Sequence, residues 1–365
     1  MRVFHVSADR FVELAALPVT LPADGFLWIG SGRREFEVSV GDIQQHLQNW
    51  TGGQLVELHV RDLLSQQLPS NFDTTSWYDL LVFRRLAVGA GTDTSEDVAG
   101  SPAAARRLLA AIDTSPVGFA VFDRVLVTVH PTDCAVRDYF AHRLQQQADG
   151  VDLRGPTRLP SSPADLMLRM ANHMVDGYLE LRRQLTRQLG ALQNDLLDPK
   201  SRFDDWKVLL DARNTLHLLE DTCEDQRSAM QEWIDALDEW PVESDAHARL
   251  ERELLRVRSR DVLEHIERVL SHVRRLEHSA EVAVQMHFSA LGHRTNDIMR
   301  TLTVLTAVFL PLNLITGFFG MNFDTLPLIH SATGIWAAVA VMAAVGVGLI
   351  AYFRRKRYLG SHLRK

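Results

Sequence analysis

Seven residues near the C-terminal end of this 365-residue chain, Asn296, Met299, Thr303, Thr306, Leu310, Asn313 and Gly317, recur at alternating three- and four-residue steps. That spacing puts them on one face of a helix. Thr303 and Thr306 can each bond back to their own backbone, but the carboxamides of Asn296 and Asn313 cannot be dismissed so simply. An amide facing hydrocarbon without a partner costs roughly 2–7 kcal/mol, so both must meet other helices or water. Followed backwards, the row continues through Gly292, Ser289 and Gln285, again without charge. The chemistry available to such a face is neutral: dipoles that hold water or a polar solute without fixing it.

The segment that carries this face is otherwise apolar. Thr301–Phe323 holds 23 consecutive residues without Asp, Glu, Lys or Arg, and Thr325–Phe353 holds 29 more. Each is long enough to cross a bilayer, which takes about 20 residues of helix. Arg294 and Arg300 precede the first run, Arg354, Arg355, Lys356 and Arg357 follow the second, and the connection has no Lys or Arg. Positive flanks stay inside, so both termini are expected in the cytoplasm, with the loop around Asp324 and His330 facing out. The N-terminus has charges interrupting each apolar run and is not read as a secretory signal. Cys134 and Cys223 fit no metal spacing and suggest a reducing compartment.

The first 300 residues carry 33 Lys and Arg against 45 Asp and Glu. Such a surface repels nucleic acid and attracts cations. Residues 1–160 read as an α/β domain. Strands are expected at Gly25–Gly30, Tyr78–Val88 and Val117–Val129, the last broken by an Asp-Arg turn, and helices at Val40–Trp50, Val56–Gln67 and Pro102–Ile112. The polar stretch Gly89–Pro102 lacks the glycine pattern of a dinucleotide loop and reads as a linker.

From 161 to 300 the pattern is that of a long-helix stalk. Helices are expected over Asp165–Leu197 and over Phe203–Leu237, the second with an acidic face including Glu220, Asp221, Glu224 and Asp225. A third begins near Ser244, with a packed seam of Leu255, Val262, Ile266, Val269, Val273, Leu276, Ala280 and Ala283. Pro is absent between Pro241 and Pro311, so this helix can run unbroken into the first span. His265 and His272 are expected on its solvated face. No H-E-x-x-H, phosphate-binding glycine loop or nucleophile elbow occurs, so the chain is not read as an enzyme and no cofactor is implied.

One polar-striped helix cannot enclose a path, but a ring of them from identical subunits can. The second span, apolar all round, suits a lipid-facing jacket outside that ring. The arrangement reads as a pore, and Gly320-Met321-Asn322 sits where the lining helix would end on the outer side.

At this point the chain resembles the CorA family of divalent-cation transporters, whose signature is Gly-Met-Asn at the outer end of the first of two C-terminal spans. The resemblance is strongest over Asn296–Phe323, extends back through Ser259–Leu270, and is weaker in the N-terminal half. It implies an α+β membrane protein: a cytosolic α/β domain, a long helical stalk and two C-terminal transmembrane helices, assembled as a homopentameric funnel in the inner membrane. The segments would be 301–323 for the lining helix, 324–333 for the outer loop, 334–353 for the second helix and 354–365 for a basic cytosolic tail. Carried over, Gly320, Met321 and Asn322 form the selectivity filter, and Asn296, Met299, Leu302, Thr303, Thr306, Leu310, Asn313 and Gly317 line the pore. A ring of neutral Asn322 amides can hold hydrated Mg²⁺ through its water shell, with Asp324 a weak additional ligand. Met299, Leu302 and Leu310 would close the pore by dewetting.

Asp261 matches a family Asp at an inter-subunit regulatory cation site, although it could instead pair with Arg258 or His265 on its own helix. The chain departs from the family at Phe319, where Tyr is frequent, at Leu326–Ile329, where an acidic stretch is frequent, and at Asn313 and Leu310. The resemblance implies Mg²⁺ transport, with Co²⁺ or Ni²⁺ as further cargo and self, lipid and divalent cations as partners. A Zn²⁺ transporter of the ZntB branch, proton-coupled, is the alternative on the same scaffold. A non-conducting, membrane-anchored sensor is the alternative of another class.

Overall fold

The computed structural model describes residues 1–88, 107–150, 158–197, 206–240, 246–321 and 332–356. It divides into two units, Met1–Val282 and Ala283–Lys365. The first is built on a seven-stranded mixed sheet in the order β2-β1-β3-β9-β8-β5-β4. Its strands are β1 (Arg2–Val6), β2 (Phe11–Leu14), β3 (Phe26–Gly32), β4 (Asn71–Thr74), β5 (Asp79–Arg84), β8 (Pro116–Val121) and β9 (Val125–His130), while β6 (Ala87–Val88) and β7 (Ile112–Asp113) form a separate two-stranded pair. Only the β3–β9 neighbours run parallel.

The central strands β3, β8 and β9 are buried at every residue, which requires cover on both faces. Alternate side chains supply two cores, as the period of two dictates. Ile29, Leu80, Ala120 and Val127 pack with Phe36, Ile43 and Leu47 of α1 (Arg33–Thr51) and Leu63 of α2 (Glu57–Leu64). Trp28, Leu81, Phe119 and Leu126 join the opposite core. That core is shared with α3 (Ala135–Ala148), α4 (Pro163–Asp176), α5 (Tyr178–Leu197), α6 (Trp206–Glu239) and the N-terminal half of α7 (Ala246–Phe319).

The Asp123-Arg124 hairpin is present, with Phe122 N–H donating to Val125 O at 2.9 Å, whereas the strand expected over Tyr78–Val88 divides into β5 of the main sheet and β6 of the separate pair. Helix boundaries differ more. The α1 helix starts seven residues before Val40, because Gly32 is capped by the Glu35 carboxylate at 2.9 Å and the first two turns are mostly polar. Ser65 ends α2 early by turning extended. Of the helix expected at Pro102–Ile112, residues 107–110 are helical, Ile112 lies in β7, and 102–106 fall outside the described residues, as does the linker expected at Gly89–Pro102.

The single helix expected over Asp165–Leu197 is two helices meeting at Gly177. A Cβ at Gly177 would lie 3.2 Å from the Leu86 carbonyl oxygen, so the glycine lets the helix backbone approach the β-domain where the break occurs. The seam on α7 is packed as expected: Leu255, Val262, Ile266, Val269, Val273 and Ala283 are buried. Two buried bonds fix α7 against its neighbours. Trp233 Nε1 of α6 donates to Ser259 Oγ at 2.9 Å, and the Tyr178 hydroxyl of α5 meets His272 Nδ1 at 2.8 Å.

The second unit contains the remainder of α7 and α8 (Ala332–Arg355). Each is long and apolar enough to cross a membrane. They pack through Leu314, Ile315 and Phe318 of α7 and Ala337, Ala338 and Val341 of α8 around an apolar cleft.

Candidate functional site

The striped face of α7 is solvent-open along its length in the single chain. Gln285, Ser289, Gly292, Asn296, Met299, Thr303, Thr306, Leu310, Asn313 and Gly317 are all exposed, Met299 at 62% and Leu310 at 66%. Exposed apolar residues on that scale need a cover of lipid or further protein. The two threonine hydroxyls are committed as donors: Thr303 to Met299 O at 2.7 Å and Thr306 to Leu302 O at 2.9 Å. Each therefore offers only an acceptor to anything facing it. The carboxamides of Asn296 and Asn313 have no side-chain partner among the described residues, so their full donor and acceptor capacity faces outward. Leu302, also exposed, lies beside the row.

The α7 helix ends at the glycine that follows its apolar run, ahead of the expected Phe323. Phe319 is its last residue, Gly320 N–H bonds Thr316 O at 2.9 Å, and Met321 is exposed. A Cβ at Gly320 would sit 3.0 Å from that same Thr316 oxygen, so a larger residue would disturb the closing turn. The α7 helix thus stops four residues short of the expected Phe323. Asn322, Asp324 and His330 lie outside the described residues. Pro311 sits inside α7 and removes the N–H that would bond the Ala307 carbonyl, leaving one backbone oxygen without its helical donor.

In the first unit, Asp261 projects from α7 with its side chain 57% exposed, and Arg258 is not its partner. Arg258 instead turns to the buried carboxylate of Asp165, which also accepts from Arg169 at 3.0 Å and from Ser161 N–H at 3.2 Å. Among the described residues Asp261 has only His265, at a loose 3.8 Å. The His265 ring is drawn the other way, with Nδ1 3.0 Å from Asn172 Oδ1 and 3.5 Å from Asp176. An exposed carboxylate so weakly held can accept a ligand from outside the chain.

The expected solvated position of His272 is corrected: it is 7% exposed, and burial, followed by Arg182 and Arg275, lowers its pKa to about 4. A neutral ring is what the Tyr178 hydroxyl requires as acceptor. Sequence reasoning also missed the grouping of Asp165 with Arg169 and Arg258. The i,i+4 pair on α4 was legible, but Arg258 comes from a helix 90 residues later.

Among known proteins, the family model for CorA-like Mg2+ transporter proteins matches residues 103–355. The chain is 30% identical over 100 residues to the cobalt/magnesium transport protein CorA of Thermotoga maritima, covering 27% of this chain and 28% of that one. It is 32% identical over 101 residues to the magnesium transport protein CorA of Haemophilus influenzae, covering 28% of this chain and 32% of the relative. The chain thus spans less than a third of the length of these curated relatives. Among solved structures, the complete CorA magnesium transporter of Methanocaldococcus jannaschii aligns over 97% of both chains with a TM-score of 0.72 and 17% identity, a likeness of fold.

Proposed function

This chain belongs to the family of CorA-like Mg2+ transporter proteins, and from that premise we propose that it is a divalent-cation channel carrying Mg²⁺ inward across the inner membrane as a homopentamer. The observation that carries the reading is α7 itself. Its C-terminal turns expose an uncharged row in which Asn and Thr alternate with apolar residues, and the helix closes at Gly320-Met321, immediately before Asn322. Five copies facing a common axis turn that row into a lining and cover the exposed apolar residues with each other and with α8 and lipid.

In this reading the Asn322 ring meets the ion first. Mg²⁺ releases water reluctantly, so amide oxygens select it as a hydrated ion and let it pass. Asn313 and Asn296 repeat the contact deeper in the path, and the acceptor faces of Thr303 and Thr306 accompany it. Between them Leu310, Leu302 and Met299 form apolar girdles that stay dry in the closed state. Entry of two positive charges gains about 4.6 kcal/mol per 100 mV of inside-negative potential, so the chain's chemistry demands no nucleotide. Asp261, loosely held, receives a cytosolic Mg²⁺ shared with a neighbouring subunit, and losing that ion shifts the population toward the open form.

The test is flux into liposomes holding the purified protein, comparing Mg²⁺ with Zn²⁺, Co²⁺ and Ni²⁺ under a potential and then under a pH gradient. Potential-driven Mg²⁺ entry lost in Asn322→Ala supports the channel. Zn²⁺ entry that follows the proton gradient, or no flux of any ion, overturns it.

A further inference from the structure

Away from the lining helix and from Asp261, a second set of ligand-bearing side chains meets inside the first unit. His217 and Glu220 lie three residues apart on α6, a spacing that puts imidazole and carboxylate on one helix face, as in metal-binding bundles. Glu277 of α7 reaches the same point from across the helix pair. One ligand atom from each residue falls within 4.8 Å of the others. His217 Nε2 is already 2.9 Å from Glu277 Oε1, while Glu220 is steadied by Arg274 Nε at 2.6 Å. Arg274 also pairs with Glu224, so it remains satisfied if Glu220 turns to another partner.

From this geometry we infer that His217, Glu220 and Glu277 form a binding site for a transition dication of the Zn²⁺, Co²⁺, Ni²⁺ class, clipping α6 to α7 within one subunit. One imidazole nitrogen with two carboxylate oxygens suits those ions, and water completes the coordination. Mg²⁺, which prefers an all-oxygen shell, is the wrong cargo for it. Binding a dication there releases whatever protons its ligands carry, so its affinity falls at low pH. His217 is about half exposed, which leaves an entry path.

The experiment uses the full-length protein in detergent, stripped of transition metal and equilibrated with millimolar Mg²⁺, titrated with Co²⁺ by visible absorption and with Zn²⁺ by calorimetry. The expected result is a Mg²⁺-resistant Co²⁺ spectrum of imidazole–carboxylate type, with affinity falling by at least about tenfold in both His217→Ala and the isosteric Glu277→Gln. Zn²⁺ should raise the melting temperature of the wild type and leave those two variants unmoved. Asn322→Ala and Asp261→Ala should bind as the wild type does, so the site stands or falls independently of the pore. Co²⁺ binding unchanged in both cluster variants, or abolished by Mg²⁺, overturns the inference.

Discussion

Replacing Asp165 by Asn tests what anchors α7 to the rest of the chain. Asp165 is nearly fully buried on α4 and faces two arginines, Arg169 on its own helix and Arg258 on α7. The substitution keeps the side chain's shape and removes its charge, leaving two partly buried guanidinium groups with one neutral acceptor. Each charge-assisted bond contributes about 1.5–3 kcal/mol. Breaking a buried pair by removing one partner costs about 3–5 kcal/mol, the range expected here. For a chain of this size, whose unfolding entropy is about 2.1 cal/mol/K per residue, that corresponds to a fall in melting temperature of roughly 4–7 °C. The assay is thermal unfolding of the full-length protein in detergent by circular dichroism. Glu264→Gln serves as the comparison, because it breaks the exposed i,i+4 pair with Arg268 and should cost less than about 1 kcal/mol. The double variant Asp165→Asn/Arg258→Met should recover part of the loss by removing the orphaned cation. A melting point for Asp165→Asn within about 2 °C of wild type would refute the view that this clasp fixes α7.

Three further outcomes follow from the same geometry. Because the Thr306 hydroxyl already donates to Leu302 O at 2.9 Å, Thr306→Val should leave Mg²⁺ flux within about threefold, whereas Asn313→Leu, which removes an unpartnered amide, should lower it by about tenfold or more, as 1–3 kcal/mol implies. If Asp261 holds Mg²⁺ as proposed, Mg²⁺ should protect the first unit against limited proteolysis, and Asp261→Ala should abolish that protection while leaving the apo pattern unchanged. His272, whose pKa is lowered from 6.5 to about 4, is held neutral when folded and takes up a proton when unfolded. Stability should therefore fall as pH drops from about 6.5 toward about 4, and a melting curve followed over that range should lose this limb in His272→Gln.

The legible parts of the fold were those where one element carries its own pattern. The alternation Trp28/Ile29 and Phe119/Ala120 marks two-faced strands, and the seam from Leu255 to Val273 marks a packed helix face; both are as the sequence indicates. What stayed hidden depends on a partner from elsewhere in the chain. The break at Gly177 follows from the approach of the Leu86 carbonyl, and the burial of His272 follows from Tyr178, 94 residues away. For the same reason Glu277 gave no sign of its place beside His217. A lone Glu on a helix carries no information about what lies across from it.

The lipid bilayer alone does not explain the polar face of α7. Arg294, Asp297 and Arg300 show that charge is accepted on this helix ahead of the apolar run, and all three lie off the face. Gln285, Ser289, Gly292 and Asn296 lie on it in the same stretch, every one neutral and exposed in the single chain. A water-facing surface would tolerate Lys or Glu there, and a lipid-facing one would reject Asn313. A face that is neutral before the membrane and polar within it meets one continuous environment, such as a shared axis bounded by other copies. The row repeats every seven residues, as in Ser289, Asn296, Thr303, Leu310 and Gly317, or about 3.5 residues per turn, whereas a straight helix has about 3.6, so the face drifts by about 20° per heptad. It can follow a single axis over that length only if the helices wind around one another with a left-handed twist. Cross-linking should therefore join identical residues along the whole row, as single cysteines at 289, 296 and 303 in turn, and cross-links confined to one end would require a different packing of α7.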